Sequence, residues 1–289
     1  MLKFYNRIKR HFFYYHKFRS LLEASNAPVN PYAFIRVHNE IHTVKASLTS
    51  IEGVLTRGVI GYHDCTDGTE EFILEFCSRN KGFIPHKYEY SVWPPDDNNY
   101  FDSFENSNPE NRLDSYYNSV LDKIPNYEWL IKIDCDQIYD KELLRATLRM
   151  PLNERECIFL PRINMHYLNN KLYILRNSPL SIHRDHWLVY KTPKLHFIMS
   201  RGINNVGKRY AWELLELPHL NWIDTEVMHW HFPLMKVRRE ELGINMNSLI
   251  LLENSHELLE PYRQLLLPNM INPDYILNTL KSTGLKPWR

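Results

Sequence analysis

The sequence predicts an α/β fold with a mostly parallel, twisted sheet and helices on both faces. Between residues 32 and 88, short apolar segments alternate with amphipathic ones in the order strand, helix, strand, helix, strand. This alternation is typical of a doubly wound sheet, in which each helix crosses back over the strands. The 289 residues suffice for a sizeable core, and a net charge of +1 does not suggest binding to bulk nucleic acid.

The first half of the chain supplies the elements of this sheet in order. Apolar runs predict the strands, and apolar residues three or four positions apart predict the helices. The predicted strands are Tyr32–Val37, Val59–Tyr62, Phe83–Tyr88 and Trp129–Ile133, and the predicted helices are Ile41–Leu55, one beginning near Thr69, and Arg112–Ile124. A polar segment at 91–111 with two adjacent prolines predicts a long loop.

The second half is predicted to add strands and to end in helices. Strands at 163–168 and 171–175 are joined by Asn169-Asn170, a pair that favours a tight hairpin turn. Further strands are expected at 157–160 and 183–190, and a helix at 213–217. The final segment is rich in Leu, Ile and Met, which predicts a helical C-terminal segment.

This organisation divides the chain into three predicted parts. Residues 1–27 form a predicted basic, aromatic helix that ends at a break rich in proline and asparagine. This helix either lies on an anionic membrane surface or packs against the protein's own body. Residues 28–235 form the predicted α/β domain, and residues 236–289 form the helical C-terminal segment. No apolar run reaches the length of a membrane span, and cysteines without CxxC spacing predict reduced thiols in the cytosol.

Two carboxylates, Asp134 and Asp136, stand where the fourth predicted strand ends. Open α/β sheets bind ligands beyond the carboxyl ends of their strands, and hard cations such as Mn²⁺ or Mg²⁺ prefer oxygen ligands. Asp136 is the expected direct ligand, and Asp134 is expected to bind through water or to hold a ribose. The alternative is a pair of solvated loop aspartates.

Polar residues also follow the first two predicted strands. Arg36 stands near the end of the first strand, Asn39 and Glu40 follow it, and all three are expected to meet the same nucleotide. Asp64 ends the second strand, where a carboxylate can accept a hydrogen bond from the N3–H of uracil. The alternatives are structural: Glu40 in the first turn of a helix, where the dipole favours it, and Asp67 as a helix cap.

A downstream cluster offers a further ligand. In an extended segment, His229 and His231 lie on one face and Trp230 on the other. An imidazole can complete a site of carboxylates that holds Mn²⁺. Lys236 follows closely and can pair with phosphates, although a solvated basic helix face explains it equally well.

Four segments carry a resemblance to a known family. They are NPYAFIRVHNE, LTRGVIGYHDCTDGTEEFILEFC, FIPHKYEY and EWLIKIDCDQIYD, in this order along the chain. Together they resemble the bacterial lipooligosaccharide β-1,4-N-acetylgalactosaminyltransferases. The match is close over residues 30–140 and weaker near 225–226 and 231–233.

The resemblance implies a fold and an activity. It implies a GT-A glycosyltransferase fold, inversion at the anomeric carbon and dependence on a divalent metal, Mn²⁺ or Mg²⁺. The implied donor is UDP-GalNAc and the implied acceptor is a lipooligosaccharide. The implied location is the cytoplasm, with the enzyme peripheral on the inner face of the cytoplasmic membrane.

The resemblance also assigns roles by position. Asp134 and Asp136 become the DxD motif, Asp64 the uracil contact and His231 the third metal group. Direct displacement at a sugar carbon needs a carboxylate to accept the proton of the attacking hydroxyl. The sequence offers five candidates after the two aspartates: Asp185, Glu213, Glu216, Asp224 and Glu226. Glu213 and Glu226 both lie in the region where related inverting enzymes place that base. The alternatives are a galactosyl- or glucosyltransferase on the same fold, and a non-catalytic glycan-assembly protein.

Overall fold

The computed structural model describes residues 17–93, 101, 105, 108–182, 185–203, 207, 209–217, 221–236 and 245–288. Most of the predicted helix at 1–27 and much of the predicted loop at 91–111 therefore lie outside the described residues. The α-helices are α1 (Ile41–Ile51), α2 (Thr69–Arg79), α3 (Leu113–Leu121), α4 (Lys141–Thr147), α5 (His256–Leu259) and α6 (Pro273–Thr283). Among the described residues, no helix has the length and apolar character needed to cross a membrane.

Sixteen strands are described. They are β1 (Lys17–Phe18), β2 (Tyr32–Val37), β3 (Gly58–Tyr62), β4 (Phe83–Lys87), β5 (Trp129–Asp134), β6 (Gln137–Tyr139), β7 (Glu156–Phe159), β8 (Arg162–Leu168), β9 (Lys171–Leu175), β10 (Leu180–Ser181), β11 (Trp187–Tyr190), β12 (Phe197–Ile203), β13 (Arg209–Leu215), β14 (Asn221–Asp224), β15 (His229–His231) and β16 (Leu249–Leu251). Short 3-10 helices occupy Leu21–Glu23, Pro109–Asn111, Met246–Ser248, Leu252–Asn254, Glu260–Leu265 and Pro268–Ile271.

The main sheet is mostly parallel, as the sequence predicts. Its eight strands run in the order β1-β14-β7-β11-β5-β2-β3-β4. Only β11 is antiparallel to its two neighbours, β5 and β7. Strands β5, β2, β3 and β4 are mutually parallel neighbours, so their carboxyl ends meet at one edge of the sheet.

Helices cover both faces of this sheet. Successive side chains of a strand point to opposite faces, so each buried strand contributes apolar residues to two cores. On one face, Ala33, Ile35 and Val37 of β2 belong to a core that includes residues of α1, α2 and α4. On the other face, Phe34 belongs to a separate core with residues of α3. Both faces of these strands are thus withdrawn from water, which leaves their carboxyl ends as the expected place for a ligand.

A second sheet completes the structure. Its strand order is β16-β9-β8-β15-β6, with β10 paired to β8. Asn169 and Asn170 join β8 to β9 with φ values of 49° and 59°, the left-handed conformation that a tight hairpin turn requires. The C-terminal segment is less helical than predicted, since β16 and short 3-10 helices precede α6. Its apolar residues share a core with this second sheet.

The predicted helix at 213–217 is wrong. Residues 213–215 belong to β13, which pairs antiparallel with β12 along its whole length. Side chains of β13 alternate between exposed Trp212 and Leu214 and less exposed Glu213 and Leu215. Local helix propensity of this Leu- and Glu-rich segment is a weak effect, and pairing with a strand distant in sequence overrides it.

The segment at 17–23 is fixed to the edge of the main sheet. Strand β1 pairs with β14, and Arg19 forms two hydrogen bonds with the carboxylate of Glu156, at 2.8 and 2.9 Å. Glu226 accepts hydrogen bonds from the hydroxyl of Ser20 at 2.6 Å and the backbone N–H of Leu21 at 2.7 Å. Both oxygens of Glu226 therefore serve to hold this segment.

We expect Glu226→Ala to destabilise the protein. The buried N–H of Leu21 would lose its acceptor, which costs about 1–3 kcal/mol of unfolding free energy. Thermal or denaturant unfolding measures this loss. The exposed Glu253→Ala is the matched control and should stay within about 0.5 kcal/mol of the unmodified protein. Equal stability of the two variants would contradict the structural role of Glu226.

Candidate active site

A polar cavity of about 220 Å³ opens beyond the carboxyl ends of β2, β3 and β5. This is the edge at which an α/β sheet binds ligands. Sixteen residues line it. Those that give the cavity its charged, polar or aromatic character are Arg36, His38, Glu40, His63, Tyr117, Lys132, Asp134, Asp185, Glu213 and Lys236. Four of the six residues predicted to bind the nucleotide sugar are among them: Arg36, Glu40, Asp134 and Lys236.

Arg36 and Asp134 form an ion pair in the wall of the cavity, in which the guanidinium is buried and the carboxylate is partly exposed. They are partners in register on neighbouring strands, and the guanidinium also lies 4.1 Å from the ring centre of Tyr117. Burial opposes ionisation of Asp134, but Lys132, His186 and Arg36 outweigh it and hold the pKa of this carboxyl well below its usual range. Asp134 is therefore a fixed carboxylate.

Asp136 belongs to a second cluster, in which residues distant in the sequence meet. Its Oδ2 lies 3.1 Å from Nε2 of His231 and 3.0 Å from Nζ of Lys236. Lys236 also donates to Oε1 of Glu40 at 2.8 Å. Burial opposes ionisation of Asp136, but Lys236 and His231 hold its pKa well below the usual range. The cluster thus unites predicted metal ligands with predicted nucleotide ligands.

The hydrogen bonds around Asn164 determine which nitrogen of His231 faces Asp136. The amide of Asn164 donates to the carbonyl of Ser178 at 2.7 Å, so its Oδ1 must face His231 Nδ1, at 2.6 Å. His231 Nδ1 is therefore the protonated nitrogen. Burial lowers the pKa of His231 to about 4, against the opposing effect of Asp136, so the ring is neutral at pH 7.

This tautomer fits a metal ion. Nε2 of His231 and Oδ2 of Asp136 face each other at 3.1 Å, so both atoms can turn a lone pair toward one cation. Neighbouring ligands of an octahedral ion at about 2.1 Å lie about 3 Å apart. A histidine held through its other nitrogen is the usual form of a metal ligand. Asp136 and His231 therefore suit a divalent cation.

A rival set of metal ligands lies nearby. Asp134, Asp185 and His186 offer three ligand atoms within 4.8 Å of one another. However, Lys132 and Arg162 bind Asp185 at 2.6 and 3.1 Å, and Arg36 binds Asp134. Three cations already surround two carboxylates, so a further dication would meet net positive charge. This cluster is suited to positioning the two aspartates rather than to holding a metal.

A larger cavity of about 1080 Å³ adjoins the first. The two cavities share three lining residues, Lys132, Asp185 and Glu213. The other walls of the larger cavity combine aromatic and apolar side chains with polar ones at the rim, among them Trp187, Trp212, Trp222, Leu214, Lys194, His196 and Glu216. The arrangement offers room for two ligands that meet at Glu213.

Of the two predicted bases, the structure brings only Glu213 to the cavities. Burial raises the pKa of Glu213, with Lys132 acting in the opposite direction. A carboxylate with a raised pKa accepts a proton more readily near pH 7. Glu226 lines neither cavity, and its two oxygens hold the segment at 20–21 instead.

Asn39 and Asp64 stand apart from the other predicted nucleotide ligands. Neither lines the cavity, whose wall at this position is formed by the stacked rings of His38 and His63, 4.5 Å apart. Asn39 accepts a hydrogen bond from the backbone N–H of Thr66 at 2.8 Å, which ties two loops together. Asp64 is half-exposed at the end of β3, and its contact with uracil stays a prediction.

Asp67 binds the starts of two helices, as expected if it has the structural role of a helix cap. Its carboxylate accepts from the backbone N–H groups of Ile41 at 3.1 Å and Thr69 at 3.0 Å, at the starts of α1 and α2. Its hydrogen bonds therefore fix the two helix starts next to the cavity.

Three side chains of the candidate site were not predicted from the sequence: Lys132, Tyr117 and His186. Lys132 left a signal, because it is the one charge in the apolar run of β5 and is buried in the structure. A buried lysine needs a carboxylate partner, which Asp185 provides. Tyr117 and His186 carried no such signal in the sequence.

Comparison with known proteins decides the family. A sequence model of the β-1,4-N-acetylgalactosaminyltransferase (CgtA) family matches residues 6–283. The chain belongs to this family. The resemblance seen in the four sequence segments is thereby confirmed, and membership makes the chain a glycosyltransferase.

Other comparisons add less to the CgtA-family assignment. No curated protein sequence matches the chain. Among solved structures, the chain is similar to the mannosyltransferase PcManGT from Pyrobaculum calidifontis, in complex with GDP-Man and Mn2+. The match covers 55% of this chain and 42% of the mannosyltransferase chain. The identity is 14% and the TM-score is 0.35. The match thus spans less than half of that mannosyltransferase.

Proposed function

We propose that the chain transfers N-acetylgalactosamine from UDP-GalNAc to a hydroxyl of a lipooligosaccharide, with inversion and with the help of a divalent metal. The observation that carries the proposal is the position of Glu213, where a polar cavity at the DxD motif meets a larger aromatic cavity. Family membership supports the transfer of GalNAc. The order of the main sheet, with the DxD motif at the end of β5, supports a GT-A fold.

The smaller cavity is the proposed donor site. Arg36 and Lys132 supply positive charge for the diphosphate, and the fixed carboxylate of Asp134 can accept hydrogen bonds from the ribose hydroxyls. Asp64, at the end of β3, remains the proposed acceptor for the N3–H of uracil. Asp136 and His231 would hold Mn²⁺ or Mg²⁺. The bound ion would neutralise the charge that grows on the leaving UDP.

Glu213 is the proposed general base. Its carboxylate takes the proton of the acceptor hydroxyl as that oxygen forms a bond to the anomeric carbon of GalNAc. The bond from this carbon to the β-phosphate oxygen breaks, and its electron pair leaves with UDP. Attack from the face opposite UDP inverts the configuration of the anomeric carbon.

The larger cavity is the proposed acceptor site. Tyr210 and Trp212 are both exposed on β13 and stack with their ring centres 5.1 Å apart. Trp212 lines the cavity directly beside Glu213 in sequence. Broad aromatic faces suit the apolar faces of sugar rings, which supports Trp212 as the proposed platform for the acceptor.

Trp212→Ala is expected to weaken acceptor binding. Loss of one stacked aromatic face should raise KM for the acceptor roughly tenfold, with KM for the donor unchanged. Steady-state assays with each substrate varied in turn measure the two constants. The exposed Tyr127→Ala, outside both cavities, is the matched control. An unchanged KM for the acceptor would contradict the assignment of this cavity.

The proposed location is the inner face of the cytoplasmic membrane. The basic and aromatic residues of the first part of the sequence support attraction to an anionic lipid surface. Strand β1, fixed to the edge of the main sheet, would tether that segment to the catalytic domain.

A donor panel tests the proposed function. The protein is incubated with Mn²⁺, a lipooligosaccharide acceptor and either UDP-GalNAc, UDP-Gal or UDP-Glc, and the released UDP is measured. The proposal predicts turnover with UDP-GalNAc. Turnover with UDP-Gal or UDP-Glc alone would establish a different hexosyltransferase, and no UDP release with any donor would indicate a non-catalytic protein.

A further inference from the structure

Lys236 occupies the position of a cation in the DxD cluster. Its ammonium group lies 2.8 Å from Oε1 of Glu40 and 3.0 Å from Oδ2 of Asp136. The same oxygen of Asp136 faces Nε2 of His231 at 3.1 Å. An internal ammonium therefore neutralises the carboxylate that would bind a metal.

Lys236 shares its ammonium group between two carboxyl groups, those of Glu40 and Asp136. Oε2 of Glu40 is buried and has no hydrogen-bond partner in the described structure. A buried carboxyl oxygen without a partner is costly, so this oxygen is available to a cation that enters the cluster. A dication in place of the ammonium could contact oxygens of both carboxyl groups.

The released ammonium has a second anion within reach. Lys236 lines the same cavity as Arg36 and Lys132, in which the diphosphate of the donor is proposed to bind. An ammonium forms strong charge-assisted hydrogen bonds to phosphate oxygens. The side chain can therefore exchange one set of anionic partners for another without leaving the cavity.

We propose that Lys236 is an internal counter-ion that exchanges with the metal: it neutralises Glu40 and Asp136 in the empty enzyme and moves to the donor diphosphate when a divalent cation binds. The inference rests on the proposed function, since it requires a metal and a nucleoside diphosphate. It adds that Lys236 opposes metal binding in the absence of nucleotide. It also couples the two ligands. The metal displaces the ammonium of Lys236 toward the diphosphate, and the diphosphate accepts the ammonium that would otherwise oppose the metal.

The test uses Lys236→Gln and two binding measurements that do not depend on activity. Mn²⁺ binding without nucleotide is measured by calorimetry or by the EPR signal of free Mn²⁺. Removal of the competing ammonium should tighten Mn²⁺ binding about tenfold or more. UDP binding at saturating Mn²⁺ should instead weaken about tenfold, because a charge-assisted hydrogen bond to phosphate is lost.

Opposite changes in the two affinities are the expected signature of exchange. Unchanged or weaker Mn²⁺ binding by Lys236→Gln would overturn the exchange, as would unchanged UDP binding. Lys45→Gln, which removes one charge from an exposed site on α1, controls for net charge and should leave both affinities as in the unmodified protein. Lys236→Met retains the aliphatic stem and repeats the test if Lys236→Gln is unstable.

Failure of the proposed function gives a different result. An unmodified protein that binds neither Mn²⁺ nor UDP would refute the donor site itself. An unmodified protein that binds both, together with variants that show no opposite changes, would refute the exchange of Lys236 alone.

Discussion

Asp136→Asn is expected to reduce the rate of sugar transfer about a thousand-fold in the presence of saturating Mn²⁺, which corresponds to about 4 kcal/mol of transition-state stabilisation. Oδ2 of Asp136 lies 3.1 Å from Nε2 of His231, and these two atoms are proposed to hold the cation that neutralises the leaving UDP. An amide keeps the shape of the side chain but removes its charge. The rate of UDP release from UDP-GalNAc, with acceptor present, measures the loss.

Two controls make this result specific. Asp274→Asn alters an exposed aspartate in the first turn of α6 and should retain the normal rate. Mn²⁺ binding to Asp136→Asn should weaken in parallel with the rate. A variant that transfers sugar at the normal rate would show that Asp136 does not hold the metal.

Glu213→Gln is expected to lower kcat about 10²- to 10⁴-fold, the contribution of a well-placed general base. The amide cannot accept the proton of the acceptor hydroxyl. Binding of UDP-GalNAc should change little, because Glu213 reaches the donor cavity only at its border with the acceptor cavity. The measurement is kcat at saturating donor and acceptor, together with the affinity for the donor.

The pH dependence gives an independent readout of Glu213. A base acts when it is deprotonated, so activity should fall as pH drops through the pKa of this carboxyl. Because burial raises that pKa, the fall should occur at higher pH than for an ordinary glutamate. In Glu213→Gln this acid limb should disappear from the residual activity.

Glu226→Gln is the control for Glu213, since both carboxylates were candidates for the base. Its side chain hydrogen-bonds to Ser20 and Leu21 and lines neither cavity. We expect the variant to retain kcat and the acid limb of the pH profile. A large loss of kcat in Glu226→Gln but not in Glu213→Gln would reverse the two assignments.

The sequence predicted most of what depends on local pattern. Strand β2 has the predicted bounds Tyr32–Val37, and the hairpin turn at Asn169-Asn170 has the predicted left-handed conformation. These features follow from apolar runs and turn residues, which act over a few positions. The carboxyl ends of β2 and β5 could also be placed together, because neighbouring parallel strands end at the same edge.

What the sequence did not predict depends on contacts between distant residues. Glu213 enters the site through a strand, formed because β13 pairs with β12, whereas its local sequence favours a helix. Asp185 meets Lys132 across 53 positions, and Glu226 meets Leu21 across 205. No local pattern distinguished Glu213 from Glu226, so only their position in the fold separates a candidate base from a structural carboxylate.

A crystal structure with UDP-GalNAc and Mn²⁺, with the metal located by its anomalous scattering, would show the metal ligands and the proposed base together. We expect a single Mn²⁺ bound by Asp136 and His231, with the anomeric carbon of GalNAc facing the border of the two cavities at Glu213. A metal held by Asp134, Asp185 and His186, or a sugar remote from Glu213, would contradict this arrangement.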